Sequence, residues 1–417
     1  MRQNVGLPFV ALLTTLAAFV ALPPTDARGE GRGSTLLRNL EKQGDLLRAQ
    51  KVDGSLPIEA DDAKWRAANE YTVPLVSQFA VAPRSPEFSR SEIRVRALYN
   101  DKELALLLVS ADPTRNDHVT NAGLFGDAIA VGFPTEYGKD VPLPYIGMGN
   151  KGRPVNVWQW KAVWQADIER GYQGIEEAYP NRVPNVRAIQ YLTGAEAGSP
   201  LSQESRTSPV ENLLAEGFGT LTSTASRGLN GKGIYRDGAW QVVIKRPLRP
   251  DGVGSRIDAE AGLLPFTFAV WDGAAAQRNG MKGVTRWRFL AFSDEKVSSE
   301  GADVVASFAG ADAQRGKKLV DDMGCASCHQ LPGLPPAENV GPDLTHAGAI
   351  HRPGYLLESI KDPNAVIVPA PGYLDPATGM STMPEYGELL EDDDDPTSKM
   401  LKDEDYRDMA QYLWSLQ

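Results

Sequence analysis

Two thiols and one imidazole lie close together in the last quarter of the chain, at Cys325, Cys328 and His329. Thiols three residues apart on one helical turn reach both vinyl groups of a porphyrin, and the adjacent imidazole can ligate the iron. The same spacing occurs in zinc sites, but zinc needs a second pair of ligands, and the chain has only 2 cysteines in 417 residues. The motif therefore predicts one covalently attached c haem, with His329 as an axial ligand.

The residues around this motif have the periodicity of helices. Apolar side chains recur at helical spacing in Asp312 to Met323, in Pro353 to Ile360 and in Asp403 to Leu416. Three helices joined by long loops, together with one covalent haem, are typical of a small class I c-type cytochrome. The sequence thus predicts an all-α cytochrome domain at 311–417, joined by a linker at 295–310 to the rest of the chain.

This C-terminal segment resembles monohaem cytochromes c over its full length. A Gly-Pro-Asp-Leu run that contains Pro342 follows the haem motif at the interval where those proteins place a proline. The resemblance implies that the carbonyl group of Pro342 accepts a hydrogen bond from His329, which fixes the tautomer and basicity of the imidazole.

The sixth iron ligand is expected from the loop before the last helix. Met383, which precedes a proline, matches the cytochrome c pattern, and Met380 lies three residues away as the alternative. Methionine opposite histidine raises the reduction potential and leaves no open position for a substrate, so it suits electron transfer. A second histidine, His346 or His351, would instead give a site with a lower potential.

Residues 60–294 have the pattern of short strands and turns. The segments Ile93 to Tyr99 and Glu103 to Ser110 alternate around an Asn-Asp turn, and an Asp-Gly turn at 237–238 separates two further strands. These patterns predict a mainly antiparallel β-sandwich. We therefore expect a two-domain chain, with the sandwich first and the cytochrome second.

Two positions in the predicted sandwich could bind a cofactor. Lys245 lies in the middle of a strand, and Met148 lies between two glycines, which let the backbone approach a flat ligand closely. From the pattern alone, Lys245 is an exposed charge at an edge and Met148 is a core side chain.

The stretch from Trp65 to Leu290 resembles the haem-b-binding third subunit of periplasmic molybdenum enzymes. That family includes ethylbenzene and dimethylsulfide dehydrogenases, chlorate and selenate reductases, and nitrite oxidoreductase. The likeness rests on the order and intervals of six runs: Val95 to Asp101, Phe125 to Val131, Gly147 to Gly149, Val157 to Lys161, Trp240 to Leu248 and Val270 to Gly273.

In that family a methionine and a lysine hold a non-covalent b haem. The resemblance implies that Met148 and Lys245 are the axial ligands here, with Lys161 as the alternative lysine. A lysine binds iron only as the free amine, so we expect it to be deeply buried. A Gly-, Ser- and Thr-rich insertion at 196–233, with one helical turn predicted at Pro209 to Ala215, is either disordered or lies over the haem.

The two resemblances together imply an electron-transfer subunit with no catalytic residues. Its partners would be a molybdopterin catalytic subunit, an iron–sulfur subunit and a soluble electron carrier. A third subunit with both a b and a c haem is most similar to that of nitrite oxidoreductase. The alternative is a carbohydrate-binding β-sandwich fused to a cytochrome, in which Trp158 and Trp160 would be stacking platforms.

The first residues have the pattern of a secretory signal. A basic residue precedes an apolar run from Val5 to Leu22, and small side chains follow at a suitable cleavage site. We expect residues 1–27 to be removed on export to the periplasm, which leaves no membrane span; an uncleaved anchor is the alternative. Residues 28–59 are expected to form an N-terminal extension.

The acidic side chains are concentrated in the predicted cytochrome domain. Residues 311–417 carry 19 Asp and Glu against 8 Lys and Arg, which accounts for the whole net charge of −11. This distribution argues against nucleic acid and favours a basic cytochrome as partner, although a solvated surface without a partner is equally consistent with it. The run Asp392 to Asp395 is expected to be a solvated loop, with a docking patch or a calcium site as alternatives.

Overall fold

The computed structural model describes residues 37–79, 81–84, 90–138, 141–172, 174, 179–181, 194, 197–250, 256–258, 262–292, 310–334, 341–368, 372–386 and 401–417. The predicted signal at 1–27, nearly all of the linker at 295–310 and the run Asp392 to Asp395 lie outside these residues. No helix in the described part of the chain is long and apolar enough to cross a membrane.

The larger domain consists of two β-sheets packed face to face. The first sheet has the order β1-β15-β13-β7-β8-β9-β10, with β14 beside β13 and β4 beside β14, and the second has the order β11-β12-β6-β5-β2, with β3 beside β5. The strands are β1 (Leu46–Arg48), β2 (Gln50–Lys51), β3 (Tyr71–Pro74), β4 (Val76–Ser77), β5 (Glu92–Tyr99), β6 (Glu103–Ala111), β7 (Ala128–Pro134), β8 (Val155–Lys161), β9 (Val210–Ala215), β10 (Thr222–Thr224), β11 (Asn230–Arg236), β12 (Ala239–Pro247), β13 (Leu263–Trp271), β14 (Gly283–Val284) and β15 (Arg288–Ala291). Most pairs are antiparallel, so the predicted sandwich is confirmed.

One face of each sheet supplies the hydrophobic core. Leu104, Leu106 and Leu108 point inward from β6, and Val131 and Trp158 do so from the opposing sheet. Because side chains alternate along a strand, the residues between them lie on the outer faces. The period-two pattern in the sequence therefore determines which side chains each outer face presents.

The two predicted hairpins form as expected. Strand β5 pairs with β6 in antiparallel register, with Leu98 opposite Ala105. Strand β11 pairs with β12 through a two-residue turn in which Asp237 and Gly238 both have left-handed φ angles, 53° and 69°. Asp-Gly suits this turn because glycine adopts a positive φ without strain and Asp tolerates it.

Residues 37–59, the described part of the segment before residue 60, belong to the sandwich and are not a separate extension. Strand β1 pairs in parallel with β15 of the first sheet, from Leu46 opposite Phe289 to Arg48 opposite Ala291. Strand β2, which follows after one residue, pairs in parallel with β5 of the second sheet. The prediction for residues 28–59 was wrong in this respect, because strands of two or three residues are too short to give an alternating pattern.

The predicted helical turn at Pro209 to Ala215 is also wrong, since residues 210–215 form strand β9. This strand pairs with β8 on one side and β10 on the other. Five of its six side chains are buried, so both of its faces are covered. Such a strand has no alternation of apolar and polar residues, and sequence alone cannot distinguish it from a buried helical turn.

The C-terminal domain is helical, as predicted. One helix of the sandwich, α1 (Ala162–Arg170), precedes it, and its own helices are α2 (Ala313–Asp322), α3 (Ala347–Ile350), α4 (Pro353–Lys361) and α5 (Asp403–Ser415). The Asp312 side chain caps α2 by accepting bonds from two backbone N–H groups, and Pro353 begins α4. Arg315 of α2 forms an ion pair with Asp408 of α5, which holds the first and last helices together.

A buried cluster of charges, here named the junction cluster, joins the two domains. Asp45, whose side chain is fully buried, accepts hydrogen bonds from Arg286 Nε at 2.9 Å, from Arg288 Nη1 at 3.0 Å and from Arg352. Arg352 comes from the cytochrome domain, and Arg286 also donates to the backbone carbonyl of Gly348 there. One carboxylate therefore links the sandwich to the cytochrome.

Candidate haem sites

The C-x-x-C-H motif forms a tight turn at the end of α2. Gly324 has a left-handed φ of 69°, and a 3₁₀ turn covers Cys325–Ser327. The backbone N–H of His329 donates to the carbonyl of Cys325 at 3.0 Å, so both thiols and the imidazole belong to one compact turn. Burial raises the pKa of Cys325 to about 11, which keeps this side chain a neutral thiol at neutral pH.

The axial histidine is oriented by a backbone carbonyl. His329 Nδ1 lies 2.8 Å from the carbonyl oxygen of Pro342, the contact that the cytochrome c resemblance implies. Because a carbonyl only accepts, Nδ1 must carry the proton, and Nε2 keeps its lone pair for a metal. Burial lowers the pKa of His329, which outweighs the opposing effect of the Pro342 bond and keeps the ring neutral.

His329 faces an apolar cavity of about 340 Å³ in the cytochrome domain. Both thiols, Pro342 and Met383 line it, and a smaller adjoining cavity contacts both His329 and Met383. Met380 lies outside both cavities and is 48% exposed. Of the two methionines, Met383 is therefore the one placed to ligate a metal opposite His329.

The two histidines that are alternatives to a methionine as sixth ligand lie in different places. His346 Nδ1 lies 3.0 Å from the carbonyl oxygen of Gln417, away from the cavity. His351 does line the cavity, but its ring stacks on Tyr355 at 4.4 Å between centroids. Of the four candidate sixth ligands, Met380, Met383, His346 and His351, only Met383 also lines the smaller cavity with His329.

Replacing Met383 with alanine is expected to lower the reduction potential of the covalent haem, because the thioether favours ferrous iron. A fall of roughly a tenth of a volt is expected, within the span that axial ligands cover. A spectroelectrochemical titration measures it, and carbon monoxide binding reports the opened position. Met380→Ala is the matched control and should change neither; the reverse result would assign the ligand to Met380.

Gly341 touches the axial histidine. A Cβ atom at this position would lie 2.6 Å from His329 Cε1 and 2.8 Å from its Nδ1. Gly341→Ala should therefore displace the imidazole and sharply reduce the yield of protein with correctly ligated c haem, measured as haem per chain and by its absorption spectrum. Gly354→Ala is the control, since a Cβ there meets nothing within 4 Å; a normal spectrum for both variants would contradict this prediction.

A second, larger cavity of about 810 Å³ lies on the outer face of the first sheet. Its floor is made by small side chains of β7 and β13, namely Ala128, Ala130, Gly132, Thr267 and Ala269. These residues alternate with core residues along the two strands, so they face outward. A row of small side chains leaves a flat floor over the sheet.

Loops and one helix form the walls of this cavity. The 196–233 segment contributes Leu201, Phe218 and Leu221, so the part of it that the structure describes does lie over a cavity. Met148 lines the same cavity from a loop in which Gly147 and Gly149 have left-handed φ angles of 82° and 67°. A Cβ at Gly149 would come within 2.6 Å of the Arg153 carbonyl, so the loop requires glycine there.

Lys245 does not reach the cavity that Met148 lines. Its Nζ lies 3.4 Å from the carbonyl oxygen of Leu56 and 3.5 Å from a Glu103 carboxylate, on the outer face of the second sheet. Its neighbours Ile244 and Arg246 point into the core. The whole sandwich, in which sheets pack about 10 Å apart, separates Lys245 from Met148. The assignment of both residues to one iron was therefore wrong.

Two other lysines do line the cavity with Met148. Lys161, the alternative in the sequence-based assignment, forms an ion pair with Glu211, and its Nζ lies 4.4 Å from the centroid of the Trp164 ring. Burial lowers the pKa of Lys161, while Glu211 acts in the opposite direction. Its ammonium form is thus already neutralised by a carboxylate.

Lys282 lines the same cavity, and the sequence-based assignment missed it. Burial lowers the pKa of its ammonium group to about 8, and no carboxylate in the described residues pairs with it. Its Nζ lies 5.1 Å from the Trp271 ring centroid. The sequence holds one sign of this placement: Lys282 and Val284 are two positions apart, and both line the cavity. A two-residue strand is too short to make this pattern visible.

The residues of the larger cavity fit a b haem. The walls are mainly apolar, the floor is flat, and the donor set is a thioether with a lysine whose free amine is accessible. A haem iron accepts both donor types. Met148 and Lys282 would hold the group, with Lys161 as the second candidate lysine.

Trp158 and Trp160 lie in the sandwich core and not at a surface. Both are fully buried, and Trp160 contacts Trp240 of the other sheet at 4.7 Å between ring centroids. They are therefore not available as platforms for a sugar. The alternative of a carbohydrate-binding site on these two rings is contradicted.

Comparison with known families matches both parts of the chain. Residues 62–185 match the family model "Ethylbenzene dehydrogenase", and residues 313–417 match the model "Cytochrome c". The second match covers the helical domain and supports covalent haem at Cys325 and Cys328. The chain thus combines a region similar to ethylbenzene dehydrogenase with a cytochrome c domain.

Three curated relatives resemble the chain over more than half its length. The "Chlorate reductase subunit gamma" of Ideonella dechloratans is 27% identical over 60% of this chain and 88% of its own length. The "Dimethylsulfide dehydrogenase subunit gamma" of Rhodovulum sulfidophilum is 25% identical, over 70% and 98%. The "Putative respiratory nitrate reductase heme subunit ORF7" of Haloferax mediterranei is 26% identical, over 57% and 68%.

Among solved structures, a carbohydrate binding module of family 9 from Caldicellulosiruptor kristjanssonii aligns at 9% identity. The alignment covers 60% of this chain and 95% of the chain of that module, with a TM-score of 0.29.

Proposed function

We propose that this protein is the exported electron-transfer subunit of a molybdenum oxidoreductase and carries one b haem and one c haem. Electrons would pass between a molybdopterin subunit with its iron–sulfur partner and the haem beside Met148, then to the haem at His329, and then to a soluble carrier. We propose that the partner enzyme is of the nitrite oxidoreductase type, because a third subunit with both a b and a c haem resembles the third subunit of that enzyme. The protein itself would catalyse no bond chemistry.

One observation carries this proposal: two adjacent domains each contain an apolar cavity with a pair of haem-iron donors. His329 and Met383 face one cavity, and Met148 and Lys282 line the other. Both donor pairs would fill the two axial positions of an iron, which leaves none for a substrate. A haem held in this way supplies one-electron transfer.

The residues of the chain tune and protect these sites. Pro342 holds the His329 tautomer, and the thioethers of Met148 and Met383 favour reduced iron. The apolar walls exclude water, which also lowers the pKa of the Lys282 ammonium group and so makes the free amine easier to form. The names of the relatives, two gamma subunits and one heme subunit, support a partner complex, and the acidity of 311–417 supports a basic soluble cytochrome as acceptor.

The proposal is tested by the reduced pyridine-haem spectrum of the purified protein. Equal amounts of b and c haem per chain are expected, together with co-purification of a molybdopterin subunit and an iron–sulfur subunit from the native host. A preparation with c haem alone, after expression with haem supplied, would contradict the proposal and favour a ligand-binding sandwich fused to a cytochrome.

A further inference from the structure

Tyr145 is shared by the two cavities. It lines the larger cavity beside Met148 and also the cavity that contains His329, and among the described residues it is the only one in both linings. Its side chain is only 3% exposed. The Tyr145 ring therefore borders both spaces.

The ring of Tyr145 packs against both domains. From the sandwich, Phe218 contacts it at 5.4 Å between centroids. From the cytochrome, Tyr355 contacts it at 5.5 Å and His351 at 5.7 Å, and these two rings stack on each other. Val81 and Val368 complete this apolar cluster. The space between the cavities is thus filled with packed atoms.

The chain also holds Tyr145 in a fixed position relative to Met148. They lie three positions apart in one loop, and the backbone N–H of Gly149 donates to the Tyr145 carbonyl at 2.9 Å. The Tyr145 N–H in turn donates to Asn150 Oδ1 at 3.0 Å. Any movement of the Met148 loop would therefore carry the ring with it.

We propose that Tyr145 is a positioning residue that provides the packed contact for electron transfer between the two haem sites. This inference rests on the proposed function and deepens it. In the step, one electron leaves the iron held beside Met148 and reduces the iron held by His329; no proton moves, and no bond forms or breaks. Tyr145 contributes by filling the space between the two sites with closely packed atoms that exclude water, and it is not itself oxidised.

The test uses the full-length protein with both haems and the variants Tyr145→Phe, Tyr145→Leu and Tyr145→Ala. Tyr99→Ala is the matched control, because it removes a tyrosine ring of the sandwich that lines neither cavity. Haem content and the two reduction potentials are measured first. The rate of electron redistribution between the haems is then followed at the b and c absorption bands after flash reduction.

We expect Tyr145→Ala to slow the redistribution by roughly tenfold, equivalent to about 1.4 kcal/mol in the barrier, because a gap replaces the packed ring atoms between the two sites. Tyr145→Phe and Tyr99→Ala should keep the rate and both potentials. Tyr145→Leu preserves most of the packing of the loop but not the ring contacts with the cytochrome, so electron redistribution should also be slower in this variant. If Tyr145→Ala loses haem, the rate in Tyr145→Leu tests the inference in its place.

An unchanged rate in Tyr145→Leu with both haems present would overturn the inference. The inference would also be overturned if the rate in Tyr145→Leu fell only as much as a change in the two reduction potentials explains. Such a result would indicate that Tyr145 has a purely structural role. Absence of b haem from the unmodified protein would overturn the proposed function as well. The two failures are therefore distinguishable.

Discussion

Replacing Lys282 with alanine is expected to give a protein that keeps its covalent haem and loses the non-covalent one. Lys282 lines the cavity with Met148, burial lowers the pKa of its ammonium group to about 8, and no carboxylate in the described part of the chain competes for it. The variant loses one of the two axial donors, and a methionine alone is a weak ligand for ferric iron. The ratio of b to c haem in the pyridine-haem spectrum should fall from one toward zero.

Two other lysines serve as matched controls for this experiment. Lys245→Ala should keep both haems, because its Nζ lies on the opposite face of the sandwich, near Glu103. Lys161→Ala should also keep the b haem, since this lysine is already paired with Glu211. If the b haem were lost in Lys161→Ala and kept in Lys282→Ala, the ligand would be Lys161 and the assignment made here would be wrong.

The second large effect is expected on stability, from Asp45→Leu. The junction cluster would then contain the three guanidinium groups of Arg286, Arg288 and Arg352 without a counter-ion. Leaving buried charges uncompensated costs about 3–5 kcal/mol in the free energy of unfolding. Because Arg352 belongs to the cytochrome, the change should also loosen the contact between the domains.

Thermal unfolding and limited proteolysis measure these two consequences. We expect a clearly lower unfolding midpoint and faster cleavage between the domains, with the c haem retained. The exposed pair of Lys51 with Asp101 provides the control, and Asp101→Asn should leave both measurements unchanged. Equal behaviour of the two variants would show that the junction cluster does not hold the domains together.

Local patterns in the sequence predicted the fold better than they predicted the residues of the proposed b-haem site. The haem motif, its three helices and the β5–β6 hairpin depend on residues close in sequence, where spacing determines geometry. Strand β9 was misassigned because both of its faces are covered. The very short strands β1 and β2 were missed because their partners lie far away in the chain.

The error at Lys245 has a specific physical origin. Alternation along β12 correctly places Lys245 opposite to Ile244, but it does not tell which of the two outer faces in a sandwich carries the cavity. That depends on where the Met148 loop packs, which is a tertiary contact. Lys282 gave no pattern because the strand that follows it, Gly283–Val284, has only two residues. The proposed methionine ligand, Met148, followed from a resemblance, whereas the proposed lysine ligand, Lys282, required the fold.

The short segment from Asp45 to Lys51 constrains how the chain can fold. It is made early, yet β1 pairs with β15, and Asp45 binds Arg352, which is 307 residues further along. The β1–β15 edge of the first sheet and the contact of Asp45 with Arg352 cannot close until most of the polypeptide has emerged, and such distant contacts make folding slow. The contact of Asp45 with the second domain is thus completed only after the first part of the cytochrome has been made, so a chain cut short before Arg352 would leave Asp45 without its arginine from that domain.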